Sequence, residues 1–149
     1  MTSIPDYMTS KHRECDDVFA IAESKVAAGN WPIAAEKWQA FKSELLNHFE
    51  QEEEVLFPTF EQATGMTGGP TQVMRMEHQQ MRALVEDLDN AMNTKNTDAY
   101  LGLSETLMVM MQQHNMKEEM MLYPMMAQNI AQGEEIIESF KSQENETAG

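Results

Sequence analysis

The chain repeats itself around a metal-ligand pattern. The stretch His48-Phe49-Glu50-Gln51-Glu52-Glu53-Glu54-Val55-Leu56-Phe57-Pro58 returns in the second half as His114-Asn115-Met116-Lys117-Glu118-Glu119-Met120-Met121-Leu122-Tyr123-Pro124. Both copies read H-x-x-x-E-E-x-x-L-[F/Y]-P. The only other histidines are His12 and His78, and the interval from His12 to His48 equals that from His78 to His114. Aligning the halves sets Met8 over Met74, Cys15 over Met81, and Val18-Phe19 over Leu84-Val85.

This spacing dictates a shape. His12 lies as far before Ala28 as His48 lies after Pro32. At ~1.5 Å per helical residue each arm is about 24 Å long, so folding back at Gly29-Asn30 brings the two histidines to one height. In the second half, His78 to Thr94 and Asp98 to His114 give the same arms. Two such hairpins predict an all-α, antiparallel up-down-up-down four-helix bundle.

Apolar periodicity supports helices in the same places. The first helix is expected from Thr9 or Ser10 to Ala28, with Val18, Phe19, Ala22 and Val26 inward. Pro32 starts the second, whose inward positions are Trp38, Phe41, Leu45, His48, Glu52 and Leu56, and Pro58 should kink or end it. Residues 61–70, rich in glycine, form the longest linker. A third helix runs from Thr71 to Met92 with Met74, His78, Met81, Leu84, Val85 and Leu88 on one face. Asn96 or Thr97 caps a fourth, which carries Tyr100, Leu103, Leu107, Met110, Met111, His114, Glu118 and Leu122. Glu134 to Lys141 adds a short helical piece. The domain is thus placed at 1–141, with 142–149 as a disordered tail.

Residues four apart share a helix face, so His48 with Glu52, and His114 with Glu118, can aim at one target. Glu53 and Glu119, a further residue on, turn away by the helical period of ~3.6. They are read as neighbours only, and Glu53 and Glu54 as solvated. Four inward histidines and two inward glutamates at one level make a two-metal site with His12, His48, Glu52, His78, His114 and Glu118 as ligands. Each hairpin contributes two imidazoles, and Glu52 and Glu118 bridge. Imidazole with carboxylate suits iron, manganese or zinc; shared ligands that leave open positions favour iron. Two carboxylates buried without a cation would be costly.

The formal net charge of −15 argues against nucleic acid or an anionic membrane as a partner. Residues 1–25 lack the basic, apolar and cleavage regions of a signal peptide, and no apolar run reaches the ~18 residues of a membrane span. The one cysteine, Cys15, rules out an internal disulfide or a C-x-x-C site. A cytoplasmic protein is expected.

On His12, His48 with Glu52, His78, His114 with Glu118, the E-E-x-x-L-[F/Y]-P endings and Arg75-Met76-Glu77-His78, the chain resembles the hemerythrin-like proteins of the HHE cation-binding type over about residues 10–126. The resemblance implies two iron ions in a non-haem, oxo- or hydroxo-bridged di-iron centre. It also implies that dioxygen is bound reversibly, or that oxygen, nitric oxide, peroxide or iron is sensed or handled. Oxygen carriers of the family have a fifth histidine four residues before the third-helix ligand, where this chain has Met74. That departure weighs against plain oxygen carriage. Candidates for an extra ligand are Asp16, four residues after His12, and Tyr7. Asp16 aligns with Arg82 and is read first as an orienting or surface residue, Tyr7 as packing.

The expected function is binding of dioxygen or a related diatomic for storage, delivery or sensing. The alternatives are an oxidoreductase consuming peroxide or nitric oxide, and an iron-handling or stress-response module. Whether a protein partner is involved is left open by the sequence. Thirteen of fifteen methionines lie from Met66 onward; they are read mainly as adaptable core filler, with Met116 and Met120 off the ligand face. Cys15, one turn after His12, is read as packing near the metal level.

Overall fold

The computed structural model describes residues 2–148, with side chains through residue 144. Among these residues it is helical, without strands. Helix α1 spans Ile4–Ala27, α2 Trp31–Gln51, α3 Phe57–Thr64, α4 Pro70–Asn93, α5 Thr97–Lys117, α6 Tyr123–Asn129 and α7 Gly133–Ala148. Two π-helical turns, Glu52–Leu56 and Glu118–Leu122, join α2 to α3 and α5 to α6 without a break.

The ends have local causes. Ser3 caps α1 by accepting from the Asp6 amide at 3.2 Å, with Pro5 in the first turn, so α1 begins more than a turn earlier than expected. Gly29 takes φ +77°, a left-handed value that glycine reaches without strain. Asn30 and Asn96 cap α2 and α5 by accepting from the Ile33 and Ala99 amides. Gly65 caps α3 at φ +75°.

Pro58 and Pro124 neither end nor sharply interrupt their helices. Each lacks an N–H for the carbonyl four residues back, and the π-turn just before it relieves the mismatch. The Phe57 and Tyr123 amides donate to the Glu52 and Glu118 carbonyls, a π-type spacing. The linker accordingly shrinks to residues 65–69. Helix α7 runs to Ala148, across most of the stretch expected as a disordered tail; Gly149 lies outside the described residues.

Helix α1 packs along α2 and α4 along α5, with α1 against α5 and α2 against α4. Two apolar layers result. One is built on Phe19, Trp38, Phe41, Leu88, Tyr100 and Leu107, toward the hairpin turns. The other, on Tyr7, Met8, Phe57, Phe60, Met74, Tyr123, Met126 and Phe140, gathers α3, α6 and α7 over the opposite end. Each large side chain so buried contributes about 1.5–3 kcal/mol. The histidines fall between the layers: His12 lies between Met8 and Cys15, His78 between Met74 and Met81. A polar level is thus clamped between two apolar ones.

Candidate metal centre

All six sequence-nominated residues meet at that level. Glu52, His78 and Glu118 are fully buried, and His12, His48 and His114 are at most 5% exposed. Their ligand atoms fall into two groups, Glu52 with His78, His114 and Glu118, and His12 with His48 and Glu118; atoms within each lie inside 4.8 Å of one another. His12 Nε2 is 3.1 Å from His48 Nε2. His78 Nε2 is 3.1 Å from Glu52 Oε1, and His114 Nε2 is 3.2 Å from Glu118 Oε1.

These atoms do not satisfy one another. His78 Nε2, His114 Nε2, Glu52 Oε1 and Glu118 Oε2 are buried without a hydrogen-bond partner among the described residues. Orphaned polar atoms are rare in a native interior, and these four belong to a buried His/Glu group able to hold a metal ion. Electrostatics carries the same mark. Burial, then the Glu118 carboxylate, pushes Glu52 well above the usual carboxylate range. Burial acts on Glu118 in the same sense, but His114 and the hydrogen bonds it receives hold it well below that range. Burial, then His12, pushes His48 well below the usual histidine value. Against the opposing effect of burial, Glu118 in turn raises His114 above the usual histidine value, and the nitrogen-and-oxygen donor set of this cluster is one that suits a transition metal.

The remaining ring nitrogens are held from outside the cluster, and here the spacing argument needs correction. Glu53 and Glu119 are not solvated bystanders. Glu53 accepts from His78 Nδ1 at 2.6 Å and is gripped by Arg82 at 2.8 and 3.0 Å. Glu119 bonds His12 Nδ1 at 2.7 Å. Glu77 does the same for His114 at 2.8 Å and pairs with Lys117. Each carboxylate fixes the ring so that Nε2 faces the cluster. The π-turns carry two pairs of adjacent glutamates, of which Glu52 and Glu118 lie in the cluster while Glu53 and Glu119 bond histidines of other helices. Glu54 is exposed, as expected.

One functional residue was missed. The Tyr123 hydroxyl donates to Glu52 Oε2 at 2.7 Å and lies 3.0 Å from Glu118 Oε1, 3.1 Å from His12 Nε2 and 3.3 Å from His48 Nε2. The signal was available as the single hydroxyl by which the two motifs differ at this position, Phe57 in the first and Tyr123 in the second. Phe57 instead stacks on His78, as Phe49 does at a centroid distance of 3.9 Å. The extra-ligand candidates lie elsewhere: Tyr7 bonds Glu144, and Asp16 belongs to neither ligand group. Met74 is packed in the second apolar layer.

The model of the hemerythrin HHE cation-binding domain matches residues 3–147. The chain belongs to that family. Comparison with curated proteins and with solved structures finds no match. For a hemerythrin-family chain, the buried His/Glu cluster is the expected cation site, and the family match extends beyond the residues 10–126 over which the motifs carry the resemblance. No described helix is long and apolar enough to cross a membrane.

Proposed function

We propose that this hemerythrin-family protein holds two iron ions and binds dioxygen or a related diatomic at them, for storage, delivery or sensing. The buried group of Glu52, His78, His114 and Glu118, with four atoms that lack a hydrogen-bond partner among the described residues, and the second group of His12, His48 and Glu118 support this reading, one ion for each group. His12 and His48 would hold one ion and His78 and His114 the other, with Glu118 within reach of both groups and Glu52 in that of His78 and His114. The scaffold is an up-down-up-down bundle of α1, α2, α4 and α5. Tyr123 is a seventh donor on the His12–His48 side, supported by its contact with both imidazoles. Iron supplies reversible binding or reduction of small oxidants; the protein supplies orientation and a dry surround. A lone, buried cysteine fits a reducing compartment, the cytoplasm.

A second reading, an oxidoreductase consuming peroxide or nitric oxide, gains support from Tyr123, an oxidisable phenol placed at the cluster. Elemental analysis of the purified protein tests the common premise, with two irons per chain expected and stoichiometric zinc or no metal defeating it. Oxygen added to the reduced protein then separates the readings. A stable, reversible spectral change supports binding, and rapid oxidation with peroxide turnover supports the enzyme.

A further inference from the structure

Three of the four histidines of the site have their Nδ1 held by a carboxylate. Glu53 of the first half holds His78 of the second, and Glu119, its repeat equivalent, holds His12 of the first. His114 is held by Glu77, which Lys117 neutralises. The internal repeat makes His48 the equivalent of His114, Lys11 of Glu77 and Gln51 of Lys117. The position that should supply a carboxylate to His48 therefore carries a cation. His48 Nδ1 is accordingly buried without a hydrogen-bond partner among the described residues, on a side chain 4% exposed.

A cavity of about 670 Å³ opens at this defect, between α1, α2 and α7, and His48, Lys11 and Gln51 all line it. Its size suits a small organic ligand. His48 Nε2 faces the cluster, so a metal there leaves the proton on Nδ1, and Nδ1 becomes a donor. We infer that this cavity binds a small organic carboxylate, which accepts from His48 Nδ1 and pairs with Lys11, in the place that Glu77 fills in the other half. The inference rests on the proposed metal reading for the tautomer of His48. The wall also carries two acidic groups, Glu44 and Glu144. Lys11 pairs with Glu144 at 2.9 Å and with Glu14 at 3.1 Å, and Glu144 also accepts from Tyr7, so an entering carboxylate competes with both for Lys11. Glu44 lies beside Cys15 Sγ at 3.9 Å. The ligand thus acts on the ring that orients one metal, outside the cluster itself.

Acetate, with acetamide as its neutral counterpart, is titrated calorimetrically into metal-loaded protein whose metal content is measured on the same sample. Saturable acetate binding is expected, with acetamide weaker by tenfold or more, since a charge-assisted bond is stronger than a neutral one by about that factor. Lys11→Gln should weaken acetate about tenfold, Lys11→Glu should abolish binding by supplying the missing carboxylate, and Glu144→Gln should strengthen it. Should Lys11→Glu fail to fold, Lys11→Gln decides. Absence of saturable binding, or binding indifferent to Lys11→Gln, overturns the proposal; the latter outcome places the anion on the metal. A wild type without metal defeats the proposed function and this inference together. A metal-loaded wild type that ignores acetate defeats this inference alone.

Discussion

The Tyr123 hydroxyl donates to Glu52 Oε2 across 2.7 Å while standing within 3.3 Å of His12 and His48 Nε2. A residue far along the chain from its acceptor thus ties the second motif to the first, inside the polar layer.

Replacing Tyr123 with Phe keeps the ring that packs in the second apolar layer and deletes the oxygen. The fold should persist, because Phe57 occupies the equivalent motif position. The His12–His48 ion should bind about tenfold more weakly, as one donor is lost, while the His78–His114 ion stays. In the ferric protein, a visible phenolate band present in wild type should vanish. A variant with unchanged spectrum and unchanged affinity would remove Tyr123 from the ligand set.

Glu53→Gln keeps the shape of the side chain but takes the charge from its bonds to His78 and Arg82. Metal affinity at the His78 side should fall about 10–100-fold. Exposed Glu54→Gln should leave it unchanged. Competition with a chelator measures both, and equal affinities for the two variants would return Glu53 to the solvated surface.

Glu118 contributes to both ligand groups, whereas Glu119 acts on His12 alone. Glu118→Ala should leave fewer than one metal per chain. Glu119→Ala should keep two at saturating metal while binding the His12–His48 ion about tenfold more weakly. Equal losses in the two variants would contradict the inward and outward roles given to these adjacent residues.

Burial, then the Glu44 and Asp16 carboxylates, pushes the Cys15 thiol up from 9.0 to about 12. The folded thiol therefore keeps its proton between those values while the unfolded thiol loses it. Stability from this group is complete below pH 9 and declines as pH rises toward 12, by at most about 1.4 kcal/mol per unit. Cys15→Ala should flatten the fall in the urea midpoint between about pH 8 and pH 11 relative to wild type. The folded wild type should resist alkylation at about pH 8 on the time scale that modifies the unfolded chain fully. Fast alkylation of the folded protein under the same conditions would place the thiol at the surface.

The methionines divide as helical facing requires. Of the methionines expected inward, Met74, Met81 and Met111 are buried and Met110 is half-buried, whereas Met116 and Met120, expected off the ligand face, are 59% and 72% exposed. Periodicity could assign these because it concerns one helix against one interior.

Local order was legible for the same reason. The i to i+4 spacing placed His48 with Glu52 and His114 with Glu118, and the matched intervals between histidines set all four at one height. Those relations follow from helical rise and turn, which depend on a few neighbouring residues. The rest required the packed molecule. Glu53 reaches His78 across to another helix. Glu77 reaches His114, and Tyr123 reaches His12, only through the register of one helix against another. The unmatched His48 shows the same division: the exchange of Glu77 for Lys11 is written in the repeat, but the packing of α1 and α2 makes it a buried donor beside a cavity. Spacing along a helix is a property of the chain, whereas contact between helices depends on how all the side chains between them fill space.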